Sequence, residues 1–269
     1  MLQKKYYKLI RVSYADLDLF RITNVSDQMG TLTITGGTTS FTLKYSLNGV
    51  DFTNYDFDTH PTITVPAGAN LYMKGVKGYP TNPSYYLKFS MDVNHTIGGN
   101  IMSIADETNY ATMTSIANYG FSNMFYNDSH LISAVDLNFG NVNSCGDNCF
   151  NGMFYGCSSL TTVPDLSNIT TVGTSAMSSM FGHCTSLTTG PDLSNMTGVG
   201  SSAMTYILNG CTSLTTAYAP NVSTWPYTDN WLAGVAATGT LYCPSQAVAD
   251  LIPDNSASGC PSGWTKVVM

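Results

Sequence analysis

Positive charge is scarce in this chain and missing from most of it. Of ten Lys and Arg in 269 residues, nine lie in residues 1–88 and one, Lys266, lies beyond. Residues 89–265 therefore carry no cation, against eleven acids from Asp92 to Asp254. A surface without cations cannot neutralise phosphates or release counterions, so nucleic-acid binding by this region is excluded. Glutamate is almost absent as well, Glu107 being the single one. The P-loop, GxGxxG, HExxH and GxSxG signatures are all missing. His60, His95, His130 and His183 are scattered without paired spacing, and no CxxC pair suggests zinc. No uninterrupted apolar run is long enough for a membrane span, so membrane insertion is not expected. The expectation is a chain that is not an enzyme, with no catalytic, cofactor-binding or metal-binding residues.

What is present is a core and a great deal of repetition. Hydrophobic residues make up 43% of the chain while charged ones make up 10%, enough to bury a core and to argue against global disorder. "MFYGCSSLTTVPDLSN" begins at Met153 and "MFGHCTSLTTGPDLSN" at Met180, 27 residues later; "ILNGCTSLTTAYAPN" follows at Ile207. A weaker copy, "MFYNDSHLISAVDLNF", begins at Met124. Aligned, the copies place Met124, Met153, Met180 and Ile207 in one column, and Phe125, Phe154, Phe181 and Leu208 in the next. Leu131, Leu160, Leu187 and Leu214 share a third. Upstream, Phe121, Phe150, Met177 and Met204 align, with Cys149, Ala176 and Ala203 just before the last three. The stretch ending in Met-Phe predicts a short helix, and the stretch after Ser-Leu a strand and turn. One such unit cannot close a core, but stacked copies bury a continuous one.

Cysteine is odd in number, at seven. Cys157, Cys184 and Cys211 fall at one repeat position, where three stacked equivalents cannot pair off and act as small buried hydrophobes. Cys145 with Cys149, and Cys243 with Cys260, are the pairs outside that column still open to bridging. Asp136, Asp165 and Asp192 also align; calcium and local turn bonding are the two ways to satisfy such a row.

The first third reads as strands. "RITNV", "TLTIT", "FTLKYSL", "TITV", "NLYMKGV" and "YYLKFSM" are rich in Thr, Tyr, Val and Phe. Asn48-Gly49 is a strong hairpin signal, and Pro66 opens another turn. Close-spaced short strands suggest an antiparallel β-sandwich. Gly98-Gly99 is expected to mark a break before the repeats.

At the repeated segments the sequence resembles the BspA-type leucine-rich repeat, whose pattern looks like "MFxGCSSLTxxPxL". The likeness covers about 100 residues. The leader "LKYSLNGVDFTNY…ITVPAGANLYMKGV" and the ending "STWPYTDNWLAGVAATGTLYCPS…CPSGWTKVVM" resemble what accompanies such repeats in proteins of gut Bacteroidales and their phages. The expected fold class is mixed α+β, with an Ig-like antiparallel β-sandwich followed by a short leucine-rich-repeat solenoid and a C-terminal cap. The expected division is 1–95 for the N-terminal arm and sandwich, 96–220 for the repeats and 221–269 for the cap.

The resemblance implies a surface adhesin or host-binding virion protein without catalytic residues. The opening "MLQKKYYKLIRVSYADLDLF" is a poor secretory signal because charges break its apolar run. This moves the expectation toward a phage virion structural protein, surface or fibre-associated and located on the virion surface, that attaches to host cells. A bacterial cell-surface adhesin is the alternative. Lys4, Lys5, Lys8 and Arg11 are candidates for docking to the particle, through which the N-terminal region would meet other virion proteins. His183, Trp225, Tyr227 and Trp231 are candidates for contact with a host protein or glycan, and a homo-oligomer stays open.

Overall fold

The computed structural model describes residues 18–36, 41–59, 62–76, 87–225, 228–254 and 258–269. The N-terminal strands are β1 (Arg21–Asn24), β2 (Gly30–Thr35), β3 (Thr42–Ser46), β4 (Thr53–Asn54), β5 (Thr62–Val65), β6 (Asn70–Val76), β7 (Lys88–Met91) and β8 (His95–Asn100). A four-residue helix, α1 (Met102–Ala105), follows β8. Next come β9 (Ser115–Ile116), β10 (Leu131–Asn138), β11 (Ser144–Cys145), β12 (Thr171–Val172), β13 (Gly198–Val199) and β14 (Thr216–Tyr218). The chain ends with β15 (Gly239–Cys243), α2 (Gln246–Leu251) and β16 (Trp264–Val268).

Alternation of apolar and polar residues makes the first strands two-faced. β2, "GTLTIT", buries Leu32 and Ile34, and β6, "NLYMKGV", buries Leu71 and Met73. They belong to two sheets, ordered β5-β2-β7 and β10-β8-β1-β6-β3-β4. The sheets share one core, in which the rings of Phe20 and Phe89 lie 6.1 Å apart. The hairpin expected at Asn48-Gly49 joins β3 to β4, with Gly49 at φ +72°.

Gly98-Gly99 is no break, contrary to the sequence expectation. Both glycines sit inside β8, which is central to the larger sheet, between β1 and β10. A Cβ on Gly98 would come within 2.9 Å of the Asp136 Cβ and 3.0 Å of the Arg21 guanidinium. These glycines mark close packing within a strand.

Beyond β8 the chain coils into a stacked solenoid. One sheet, β9-β11-β12-β13, takes one two-residue strand from each of four successive coils, all parallel. A second parallel sheet, β14-β15-β16, carries the stacking to the C-terminus. The repeat columns are all buried: Met124, Met153, Met180 and Ile207; Phe125, Phe154, Phe181 and Leu208; Leu131, Leu160, Leu187 and Leu214. Phe125, Phe154 and Phe181 stack nearly coplanar at 5.5 and 5.3 Å. Each such pair contributes about 1 kcal/mol beyond its burial. The column continues into the N-terminal region, since Phe89 of β7 lies 5.9 Å from Phe125 and its N–H bonds the Met124 carbonyl.

The short helix expected in each coil does not form. Its place is taken by a chain of overlapping four-residue turns. Phe154 N–H bonds Met180 O and Gly156 N–H bonds Gly182 O, while Met153 and Tyr155 bond back to Phe150 O and Gly152 O. Alternate N–H groups thus point to the next coil, which an α-helix forbids because every N–H is committed to the residue four back. The turns need a left-handed residue every fourth position, and the chain supplies them: Asn148, Gly152 and Gly156 in one coil, Ser175, Ser179 and His183 in the next. Asn, Gly and short polar residues tolerate that conformation best.

The abundance of Ser, Thr and Asn has a structural use. Hydroxyls and amides donate from coil to coil: Thr161 to Ile132 O, Thr170 to Asn143 O, Ser178 to Thr205 O and Asn195 to Ser167 O. The polar ladder reinforces the backbone ladder wherever a coil turns.

Candidate functional site

The face formed by the left-handed turns carries a strip of rings. Tyr126 and Tyr155, each directly after a Met-Phe pair, stack at 5.0 Å with planes 10° apart. Lys88 Nζ sits 5.6 Å from the centre of the Tyr126 ring at one end. At the other end His183 meets Tyr155 edge-on at 5.2 Å. Two glycines make room for the strip. A Cβ on Gly182 would lie 2.9 Å from the Tyr155 ring, and one on Gly210 would lie 2.7 Å from His183 Nδ1. The two tyrosines are half-buried and His183 is exposed. Because each ring is held by its own coil, the strip is ordered before any ligand arrives.

Of the four candidate contact residues, the structure places His183 in this strip. Trp225 is half-buried, its ring 5.3 Å from that of Trp231. Its Nε1 donates to Ser258 O at 2.8 Å and to Thr228 Oγ1 at 3.0 Å. Trp231 is corrected: it is fully buried and occupies the Met column of a fifth coil, with its Nε1 bonded to Gly259 O. Leu208 N–H bonds its carbonyl just as Phe181 N–H bonds that of Ile207. A ring with no exposed surface offers a ligand nothing. Tyr227 lies outside the described residues, as do Lys4, Lys5, Lys8 and Arg11.

Beside Trp225 is a cavity of about 200 Å³, lined on one side by Thr197, Val199, Gly200 and Ser201 and on the other by Val222, Ser223 and Thr224. It opens where the fifth coil leaves the path of the first four. The lining carries no charge. Neither this cavity nor the tyrosines of the strip were picked out from the sequence, although Tyr126 and Tyr155 do share a repeat position.

The titratable groups are occupied with structure. Asp165 and Asp192 each accept the N–H two residues on, from Ser167 and Ser194, as local turn bonds. Asp136 leaves that pattern, paired in β10 opposite Gly98. Among the described residues no three His, Cys, Asp or Glu side chains are placed to hold a metal ion. Glu107 is tied to Lys44 and Lys74 at 2.7 and 3.0 Å. Burial pushes its carboxyl up, but the two lysines outweigh that and hold it below its ordinary range.

All seven cysteines are free thiols and buried. Cys157, Cys184 and Cys211 each donate to the carbonyl of a Phe in the coil before, Phe125, Phe154 and Phe181, at 3.0–3.1 Å. Burial, with smaller contributions from neighbouring charges and thiols, pushes Cys157 and Cys184 well above the ordinary thiol range. Burial likewise raises Cys211 to about 12. Such thiols hold almost no thiolate near neutrality and are poor nucleophiles.

At the head of this column stands a different residue, Asp128, fully buried where the cysteines would predict a thiol. Its Oδ2 faces Nε2 of buried His95 on β8 at 3.2 Å, without a well-directed hydrogen bond. Its Oδ1 accepts the His130 N–H, and His95 Nδ1 lies 3.1 Å from Val93 O. The pair fastens the N-terminal sheets to the first coil. No described helix is long and apolar enough to cross a membrane. Compared with family models, curated proteins and solved structures, the chain matches none.

Proposed function

We propose that this protein is a non-enzymatic attachment protein of a phage particle, carried on the virion surface or its fibres. In this reading the coils are BspA-type leucine-rich repeats, the leader is an Ig-like docking domain that meets other virion proteins, and the solenoid grips the host surface. The observation that carries the reading is the strip of Tyr126, Tyr155 and His183, pre-ordered on a rigid ladder. Rigid aromatics concentrate contact energy at little entropic cost. Residues 89–265 carry eleven acids and no cation, and Lys88 stands at one end of the strip, so a densely anionic capsule is disfavoured and the receptor is a neutral glycan or a protein surface.

Purified protein should bind cells of susceptible Bacteroidales. The double variant Tyr126→Ala, Tyr155→Ala should bind at least ~10-fold more weakly, the loss of about 1.4 kcal/mol that a displaced aromatic contact exceeds. Its circular dichroism should stay that of the parent. Undiminished binding by a folded double variant removes the strip from the reading. Antibody against residues 117–265 should label intact virions; label confined to bacterial cells free of phage assigns the protein to a bacterial adhesin instead.

A further inference from the structure

The cavity beside Trp225 lies where, among the described residues, no strand continues the β9-β11-β12-β13 sheet. In the first three coils the same two carbonyls receive the next coil. Thr114 O accepts from Asn143 and Ser144, Asn143 O from Thr170 and Thr171, and Thr170 O from Thr197 and Gly198. Two residues on, Ile116 O accepts from Gly146, Cys145 O from Gly173 and Val172 O from Gly200. The next members of these series are Thr197 O and Val199 O, and among the described residues no N–H reaches either. Gly198 and Gly200 give their N–H groups to β12. Val199, between them, therefore turns both its N–H and its C=O to the other side, as alternate residues of a parallel strand do.

The chain that would fill this edge follows the old path only as far as Asn221, whose N–H bonds Met196 O. Val222 to Trp225 then swing out and become the opposite wall of the cavity. The result is a slot with a main-chain acceptor, donor and acceptor in strand register on one side and an indole on the other. We infer that this slot is a docking site for an extended, uncharged peptide segment of a partner protein, which adds to β13 as a parallel strand. Main-chain pairing of this kind supplies affinity in strand-addition complexes. A volume of about 200 Å³ is below the ~300 Å³ at which ordinary ligand pockets begin, so it suits backbone and small side chains. The chain's own coils show which sequence fits such an edge, and this inference stands whether or not the aromatic strip binds cells.

The probe is a synthetic peptide copying residues 168–175, Asn-Ile-Thr-Thr-Val-Gly-Thr-Ser, titrated into the full chain and followed by amide shifts of Thr197–Ser201 and by the Trp225 indole. Its Thr171 and Gly173 counterparts would donate to Thr197 O and Val199 O, while its Val172 counterpart would face outward. Saturable binding is expected. N-methylation at either donor position should weaken it ~10-fold, and N-methylation between them about 2-fold or less, since only those two peptide N–H groups face β13. Val199→Pro should weaken binding ~10-fold with the fold retained, because Pro is tolerated on an edge strand whose N–H faces outward. If that variant does not fold, the methylation pattern on the unaltered protein decides alone. No saturable binding at millimolar peptide, or equal loss at all three positions, overturns the inference. So does maltotriose shifting these residues when the peptide does not, which would give the slot to a neutral sugar.

Discussion

Raising the pH above about 9 should unfold the protein cooperatively, with a steep dependence that few chains of this acidity would show. The cause is the set of buried thiols, the column of three and Cys149 beside it. An unfolded cysteine ionises near 9.0, whereas Cys211 keeps its proton to about 12, and burial holds Cys149, Cys157 and Cys184 well above 9.0 as well. Below pH 9 both states are protonated and the contribution is fully present. Above it the unfolded chain sheds protons that the folded chain retains, and stability falls until the folded values are reached. Each thiol contributes about 1.4 kcal/mol per pH unit, so these four alone give roughly 5 kcal/mol per unit against a total stability of roughly 5–15, and Cys243, raised to about 11, and Cys260 add to it. Tyr55, raised to about 12 chiefly by burial, adds to the same trend above its ordinary 10.0.

The midpoint is expected at about pH 10–11, read by circular dichroism, with thiol titration showing no reactive cysteine before the transition and all seven after it. Replacing Cys157 and Cys184 together by Ala should make stability about one third less steep in pH over this range, since burial raises Cys243 and Cys260 as well. A folded signal that stays flat to pH 11.5, or thiols that react at pH 8, would mean that the column is open to water.

His95→Ala should cost about 1–3 kcal/mol, the penalty typical of leaving a buried polar group without its partner. Asp128 would keep its Oδ1 bond to His130 N–H but lose the imidazole that faces Oδ2. Because β8 pairs directly with β10, the loss falls on the seam between the N-terminal sheets and the first coil. Urea unfolding of the variant should show the solenoid and the leader losing structure together. The double variant His95→Leu, Asp128→Cys extends the apolar and thiol columns across the seam and should recover most of the stability. If His95→Ala is within about 0.5 kcal/mol of the parent, as surface substitutions usually are, the pair is not closed as described.

The repeat columns were legible because like residues recurring at steps of 29, 27 and 27 mark units that stack. Leu131, Leu160, Leu187 and Leu214 were aligned on sequence and are fully buried in successive coils. The strands of the leader were legible from alternation, down to the turn at Asn48-Gly49. The expected helix was not there, and the reason is a coincidence of period. Phe150, Met153, Phe154 and Cys157 fall at the spacing i, i+3, i+4, i+7, which a helix and two four-residue turns present alike. The distinguishing signal was Asn148, Gly152 and Gly156, residues that accept a left-handed backbone every fourth position.

The fifth coil was hidden for another reason. Its spacing shortens to 24 residues, as between Asn209 and Ala233, and Trp231 replaces Met in its column. A large ring in a buried column looks, from sequence, the same as a ring on a surface.

The sequence by itself determined that this chain stacks, which residues line its interior, and that residues 89–265 carry no cation. Repetition and composition are local properties, and they carry that much. Only the tertiary structure decided where each N–H goes: to its own coil or to the next, to a partner coil or to an empty edge. That choice depends on a neighbour tens of residues away, so it left the tyrosine strip, the buried His95–Asp128 seam and the open β13 edge unreadable until the coils were stacked.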